Sequence, residues 1–424
     1  MQIFVIAKQN SVITCRSAED YYTGRKITRT IMMEKRPFDT LISRSGTYSA
    51  KYHHSSDNTI ALSVADMDFP TAPCIKQALA AANDTAIYGY TLLSDDWQSV
   101  AAGWFSRRYQ WTVSPEHIVF CPRVVQAVSL WIQNFTRPGE AIATLSPGYH
   151  PISHAVEVNQ RRLLESPLRY SHGRYAIDFA DLEQKFRRAA CFILISPHNP
   201  TGTVWDEKTL LKIAALAEKH HVFIISDDVH ADFIFNNRRH RIISALSEYV
   251  QQNSMICTSP AKTFNIAGLE VANVVIASAQ HRQKFSAALT AAGIHNPGYF
   301  TVPAYLAAYR EGENWLSGLL DYLAENRLWV SDFCQRSFPD WRITDGDGTY
   351  MLWIDYRAMN TGEAQLRQLF SDVTHVEMSW GSDFGEAGAG FFRVNLALPR
   401  ARLEEAFTRI AQALQRCTGD TTHG

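Results

Sequence analysis

Short apolar runs alternate with amphipathic segments over most of the chain after residue 115, and this alternation constrains the fold more than any other feature. Segments of helical periodicity, such as 206–220, separate several of the runs. The runs have strand length and end in turn residues; they are HIVFC (117–121), EAIATLS (140–146), CFILIS (191–196), HVFIIS (221–226), SMICTS (254–259) and VANVVIAS (271–278). Strands that alternate with helices predict an α/β fold with a mostly parallel central sheet and helices on both faces.

The pattern changes after about residue 310, which predicts a second domain. There a long helical stretch (313–337) is followed by TYMLWIDY, GFFRVNLAL and a terminal helix. We therefore predict an N-terminal extension that is poorly packed, a segment that joins the smaller domain, a large α/β domain and a small C-terminal α+β domain; their bounds are 1–34, 35–85, 86–312 and 313–424.

The net charge and the cysteines indicate which partners and sites this protein is not expected to have. The 424 residues carry a formal net charge of -1 without a long basic run, which argues against nucleic acid or an anionic membrane as a partner. No apolar run reaches the roughly 18–20 residues of a membrane helix. The seven cysteines are scattered without a C-x-x-C pair. This pattern indicates reduced thiols in a cytoplasmic protein and neither a disulfide framework nor a metal site.

Polar residues follow four of the predicted strands, at the points where the strands end. PGYHP (147–151), PHNPTG (197–202), DDVHAD (227–232) and PAK (260–262) each come directly after an apolar run. Ligands of open parallel sheets bind beyond the carboxyl ends of the strands. The sequence therefore predicts that an aromatic residue, an amide, an acid and a lysine meet at one edge of the sheet.

Pyridoxal 5'-phosphate (PLP) is the cofactor that needs these four groups together. Its aldehyde forms a Schiff base with a lysine amine, and its pyridine nitrogen stays protonated against a carboxylate. Lys262 and Asp227 provide these two groups. Asn199 would donate to the ring oxygen and Tyr149 would stack on the ring, so both are candidates for the site.

The phosphate of the cofactor requires donors of its own. Ser259 lies three residues before Lys262 and can offer a hydroxyl. A predicted helix follows HIVFCPR, and the backbone amides of Val124 and Val125 at its start suit an anion. These three residues are the predicted phosphate contacts.

Six motifs together resemble the fold type I PLP enzymes of the class I/II aminotransferase superfamily. They are ADMDF (65–69), YGYT (88–91), SPHNPTG (196–202), SDDVHAD (226–232), SPAKTFNIAGL (259–269) and GFFRVNLALPR (390–400). The resemblance covers about residues 37–415 and is strongest to the branch of bacterial C–S β-lyases that contains MalY and PatB.

The resemblance implies further roles. Arg393 matches the arginine that holds the α-carboxylate of the substrate, and Tyr90 matches a tyrosine that reaches the cofactor phosphate of a neighbouring subunit, which implies a homodimer with shared active sites. His230 stands beside the cofactor where many aminotransferases have tyrosine. Glu270 stands where the superfamily commonly has an arginine, which the β-lyase branch also lacks, so the superfamily's phosphate contact at this position is not expected here.

The site residues alone do not distinguish between two reactions of an amino acid substrate. Once the α-proton is removed, the amino group can be transferred, or a β-substituent can be expelled. The resemblance favours expulsion, with cystathionine or a related cysteine S-conjugate cleaved to a thiol, pyruvate and ammonia; an amino acid aminotransferase is the alternative. The branch also includes a protein that represses a sugar-utilisation activator, and neither such a role nor its protein partner can be read from this sequence.

Two other site types share some of these residues. Ser259 and Lys262 spell the S-x-x-K of serine acyl-enzymes, but the S-D-N triplet at 56–58 precedes it and no K-T-G follows. His230 and Asp232 resemble part of a facial-triad iron site, which usually sits on an all-β barrel. We expect neither site here.

Overall fold

A computed structural model of the chain describes residues 36–53 and 58–419. The predicted extension at 1–34 and two residues of the S-D-N triplet, Ser56 and Asp57, lie outside the described residues. The strands are β1 (Ile60–Ala61), β2 (Ile118–Cys121), β3 (Ala141–Ser146), β4 (Arg162–Pro167), β5 (Arg169–Ser171), β6 (Arg174–Ala176), β7 (Ala189–Ile195), β8 (Phe223–Asp227), β9 (Ser254–Thr258), β10 (Ala272–Val275), β11 (Arg342–Ile343), β12 (Met351–Asp355), β13 (Val376–Glu377), β14 (Ser379–Trp380) and β15 (Phe391–Asn395). The α-helices are α1 (Pro73–Asp84), α2 (Trp97–Tyr109), α3 (Val124–Phe135), α4 (His150–Val158), α5 (Phe179–Phe186), α6 (Glu207–His220), α7 (Glu248–Gln252), α8 (Pro260–Thr263), α9 (Ala279–Ala291), α10 (Thr301–Glu311), α11 (Glu313–Ser337), α12 (Glu363–Gln368) and α13 (Arg400–Gly419).

The central sheet has seven strands in the order β2-β10-β9-β8-β7-β3-β4. The pairs from β9 to β4 are parallel, while β10 is antiparallel to both of its neighbours. The mostly parallel α/β sheet predicted from the sequence is thereby confirmed. The edge strand β4 was not predicted, because its residues are partly exposed and carry charges, so they form no continuous apolar run.

Both faces of this sheet are buried, which explains why its strands are apolar throughout. Successive side chains of a strand point to opposite faces. Ile193 and Ile225 lie in one core cluster with Trp131 of α3, while the adjacent Phe192 and Ile224 lie in the other. Helices therefore cover the sheet on both sides, and the strand ends are where a ligand is expected to bind.

The C-terminal part forms a separate antiparallel sheet. α11 spans the stretch that the sequence predicts as a long helix, and the strands that follow pair in the order β11-β12-β15-β14. The segment before α1 joins this part through β1, which runs parallel to β13, and the amide of Leu62 donates to the carbonyl of Glu377 at 2.7 Å. We propose that the division at about residues 85 and 312 describes two domains, with the N-terminal segment attached to the smaller one.

No helix in residues 36–53 and 58–419 combines the length and the apolar character that a membrane span requires.

Candidate active site

The strand register brings the acid and the lysine to the same edge of the central sheet. Asp227 is the last residue of β8 and lies opposite Ile195 of β7 and Cys257 of β9. Beyond β9 the chain turns into the short helix α8, where Ser259 is the N-cap and Pro260 the first helical residue. Proline at this position and a serine cap both favour a helix start, and α8 places Lys262 beside the end of β8.

Lys262 carries an amine whose pKa lies close to physiological pH. Its Nζ donates to the carbonyl oxygen of Ala65 at 2.7 Å. Burial, with a contribution from the nearby charge of Arg393, lowers the pKa of Lys262 to about 8. An amine with this pKa has an accessible unprotonated form, as nucleophilic and basic lysines require.

Asp227 is a buried acid whose charge is poorly compensated by the protein. It is 5% exposed, and its Oδ1 accepts from the amide of Val229 at 3.3 Å. Burial, with a smaller contribution from Asp228, raises the pKa of Asp227 to about 7. A protonated ring nitrogen placed against this carboxylate would remove the cost of burying its charge, so Asp227 fits the predicted partner of the PLP pyridine.

Arg393 is a buried cation that no carboxylate among the described residues pairs with. Its Nη1 donates to Oδ1 of Asn199 at 2.9 Å, and its Nη2 donates to the carbonyl of Ser63 at 2.9 Å and to Oγ of Ser379 at 3.1 Å. Its Nε is buried and makes no hydrogen bond within the described residues. Burial lowers the pKa of Arg393 to about 10. A buried guanidinium with a remaining donor fits a substrate carboxylate.

Asn199 is held in place by the same contact. Its amide oxygen accepts from Arg393, so the amide NH₂ group points the opposite way. Asn199 is 5% exposed. It therefore links the arginine of the small sheet to the turn after β7, and it keeps a donor for a ring oxygen, as the sequence predicts.

His230 and Tyr149 are buried or largely buried beside these charges. Burial, together with the charges of Lys262 and Arg393, holds the pKa of His230 well below its usual value, so the ring is neutral. Its Nδ1 is buried and makes no hydrogen bond within the described residues. Burial raises the pKa of Tyr149, and the charge of Asp227 raises it further, while the residue itself lies just beyond the end of β3, directly before α4. Both rings thus lie at the predicted edge of the sheet.

Tyr350 is a site residue that the sequence did not reveal. Its hydroxyl donates to the carbonyl of Ala65 at 2.8 Å, the same oxygen that accepts from Lys262, and its ring packs edge-on against His230 with centroids 5.6 Å apart. In the sequence, Tyr350 is one aromatic residue in the apolar run TYMLWIDY. Only the folded structure shows that it shares an acceptor with the lysine.

The predicted phosphate contacts lie near one another, but they are not equally free to bind an anion. α3 begins at Val124, no side chain caps it, and its first turn has no acidic residue, so the amides of Val124 and Val125 suit an anion. The hydroxyl of Ser259 already donates to the carbonyl of Val271 and accepts from the amide of Ala261. It would have to rotate to donate to a phosphate.

The structure gives no support to the two other site types. Nζ of Lys262 and Oγ of Ser259 each bond to backbone carbonyls and not to each other. Asp232 accepts from Oγ1 of Thr263 at 2.8 Å and pairs with Arg108 at 3.3 Å. In the part of the chain that the structure describes, no group of three histidine, cysteine, aspartate or glutamate side chains is arranged to hold a metal ion.

Comparison with known proteins agrees with this geometry. The sequence profile of aminotransferase class I and II matches residues 57–410. Cystathionine beta-lyase PatB of Bacillus subtilis is 36% identical over 89% of this chain and 99% of its own length, and Protein MalY of Escherichia coli is 30% identical over 89% and 98%. The crystal structure of cystalysin from Treponema denticola, which contains a pyridoxal 5'-phosphate cofactor, superposes with a TM-score of 0.87 at 30% identity, over 90% of this chain and 99% of that one.

Proposed function

This chain belongs to the aminotransferase class I and II family, and on that premise we propose that it is a PLP-dependent C–S β-lyase. It cleaves cystathionine or a related cysteine S-conjugate to a thiol, pyruvate and ammonia. The observation that carries the proposal is the amine of Lys262, whose pKa burial lowers to about 8, near both a buried acid and a buried arginine. The similarity to PatB over nearly its whole length supports the choice of reaction.

The residues present fit the cofactor. Asp227 would hold the ring nitrogen, Asn199 the ring oxygen and Tyr149 the face of the ring, while the amides of Val124 and Val125 would hold the phosphate. When bound, PLP supplies an electron sink that makes the α-proton of an amino acid removable. The roles of Ser259 and His230 beside the cofactor are part of the same proposal.

The chain itself has to bind the substrate and move its protons. Arg393 receives the α-carboxylate through the two N–H groups that its three hydrogen bonds leave free and fixes the orientation of the Cα–H bond. Neutral Lys262 takes the α-proton at Nζ as general base. Nζ then carries the proton that the departing sulfur needs, so one group serves as base and as acid.

Elimination and amino transfer differ only after this proton transfer. In elimination the Cβ–S bond breaks, sulfur takes a proton, and water replaces the amino group; cystathionine and water thus give homocysteine, pyruvate and ammonia. Every residue named above would also serve an amino acid aminotransferase, which remains the alternative. The similarity to PatB and cystalysin favours elimination.

An exposed apolar segment supports a homodimer with shared active sites. Ile87, Tyr88, Tyr90 and Leu92 are 73%, 57%, 104% and 86% exposed. Contiguous apolar side chains on a surface mark contact with another protein. We propose that this segment packs on a second copy of the chain and that Tyr90 there reaches the cofactor phosphate of the partner.

The cytoplasmic location stays a prediction. The cysteines at 74, 121, 191, 257, 334 and 417 are all free thiols, as expected in a reducing compartment. A regulatory protein partner has no observation here that supports it.

Replacement of Arg393 by alanine should weaken the use of amino acids as substrates. A lost charge-assisted contact to a desolvated carboxylate costs about 2–3 kcal/mol, so kcat/KM should fall by a factor on the order of 100, mostly through KM. Arg393→Lys should recover only part of this loss, because one ammonium cannot reproduce the fork of donors. Equal reaction of the variant and the wild type with amino acids would show that Arg393 does not hold the carboxylate.

The leaving group provides the test of the proposed reaction. The purified protein, supplied with PLP, is given a series of cysteine S-conjugates and, as a matched control, 2-aminobutyrate, which has no leaving group at Cβ. We expect pyruvate from every S-conjugate without an added keto acid, and none from 2-aminobutyrate. Absence of pyruvate from all S-conjugates, with amino transfer to an added keto acid, would contradict the proposal and favour the aminotransferase.

A further inference from the structure

Arg123 and Glu270 form an ion pair that none of the roles proposed above uses. The pairing of β2 with β10 explains why they meet. Cys121 lies opposite Ala272 in this antiparallel pair. Arg123 lies two residues beyond the end of β2, and Glu270 lies two residues before the start of β10. The antiparallel pairing therefore places them opposite each other.

The pair lies at the phosphate end of the proposed cofactor site. Arg123 is the residue directly before α3, at the N-cap position, and it leaves the first amides of the helix without a side-chain partner. On the other side, Val271 follows Glu270, and its carbonyl accepts from the hydroxyl of Ser259. The ion pair thus joins the segment that carries Val124 and Val125 to the segment that bonds to Ser259.

A phosphate at the start of α3 would lie near the carboxylate of Glu270, so its binding there requires a nearby cation. A phosphate monoester carries a charge of about -1.5 to -2 at neutral pH. A helix N-terminus offers about half a positive charge, and the carboxylate of Glu270 opposes a second anion. Arg123 bonds Glu270 through Nη2, and its side chain is 66% exposed, so its other N–H groups are accessible to a further acceptor.

We infer that Arg123 supplies the positive charge that binds the phosphate of the cofactor, and that it also neutralises the carboxylate of Glu270, which would otherwise repel the phosphate. One edge of the guanidinium holds the carboxylate, and another edge donates to phosphate oxygens beside the amides of Val124 and Val125. Arg123 in this way provides a cation where Glu270 alone would repel the phosphate. The inference rests on the proposed PLP-dependent function.

The test compares the affinity of the cofactor-free protein for PLP and for pyridoxal, which lacks the phosphate. Titrations followed by absorbance are made on the wild type, Arg123→Ala, Glu270→Ala and the double variant. Loss of one charge-assisted contact to phosphate predicts that Arg123→Ala binds PLP about 10- to 100-fold more weakly. Glu270→Ala should bind PLP as tightly as the wild type or more tightly, and the double variant should recover part of the loss. The affinity for pyridoxal should be the same in all four proteins.

The comparison of PLP with pyridoxal distinguishes phosphate binding by Arg123 from a purely structural role of the ion pair. If the ion pair only stabilises the fold, both single variants weaken PLP and pyridoxal alike, and this outcome would overturn the inference. Arg123→Gln, which keeps most of the side chain without the charge, gives the same comparison if the alanine variant is unstable. A wild-type protein that binds pyridoxal as tightly as PLP would also contradict the inference, while one that binds neither would overturn the proposed function itself.

Discussion

Lys262→Ala is expected to remove both the bound cofactor's visible absorption band and nearly all turnover. The side chain provides the amine that holds PLP covalently and the base that takes the α-proton, and loss of a general base alone costs about 10²–10⁴ in rate. Together the two losses predict a fall of at least about 10⁴ in kcat/KM. The visible absorbance spectrum of the PLP-loaded protein and a pyruvate assay measure the two effects.

An exposed lysine provides the control for this variant. Lys208 is an exposed residue of α6 that takes no part in the proposed site. Lys208→Ala should keep the band and the rate of the wild type. A Lys262→Ala protein that retained both would show that its buried amine has another purpose.

Asp227→Asn is expected to leave PLP bound but to slow the reaction by a factor on the order of 10³. The amide cannot keep the ring nitrogen protonated, so the cofactor accepts electrons from Cα less well. Exposed Asp321 on α11 supplies the matched control, Asp321→Asn. A rate equal to that of the wild type would show that Asp227 does not face the ring nitrogen.

The same substitution should stabilise the cofactor-free protein at alkaline pH. Burial raises the pKa of Asp227 to about 7, from 3.8 in the unfolded chain. Between these values the folded protein binds the proton that the unfolded chain has released, so the free energy of unfolding falls as pH rises. Asparagine carries no charge and escapes this loss, which amounts to a few kcal/mol, because each tenfold change in proton affinity corresponds to about 1.4 kcal/mol.

Thermal melting of the two cofactor-free proteins measures this effect. At pH 8, Asp227→Asn should melt at a higher temperature than the wild type, and the difference should shrink as the pH approaches 4. The pKa of Lys262 affects both proteins, so it largely cancels in the comparison. A wild type that was more stable than the variant at pH 8 would contradict a raised pKa at Asp227.

The groups that the sequence located are those that turn residues mark at strand ends. Asn199 lies in the turn of PHNPTG, Asp227 ends an apolar run, and Lys262 follows a Ser-Pro helix start. In a parallel sheet, the carboxyl ends of neighbouring strands lie at one edge, so local patterns are enough to bring such residues together. The structure places all three at that edge, as predicted.

The groups that the sequence missed depend on contacts between distant segments. Ala65 offers only a backbone carbonyl, and Tyr350 lies directly before β12 of the second sheet, yet Lys262 and Tyr350 both donate to that carbonyl. Arg123 and Glu270 meet because β10 runs antiparallel to β2, an orientation that apolar periodicity does not encode. The hydroxyl of Ser259 bonds to the carbonyl of Val271 for the same reason, since that contact also crosses between strands.

The stoichiometry of products from cystathionine tests the central claim most directly. The protein with bound PLP is incubated with cystathionine in the absence of any keto acid, and thiol, pyruvate and ammonia are quantified over many turnovers. We predict equal amounts of all three, formed continuously by the wild type and not by Lys262→Ala. Absence of thiol and pyruvate, together with rapid amino transfer from an amino acid to added 2-oxoglutarate, would contradict the account and show that the enzyme is an aminotransferase.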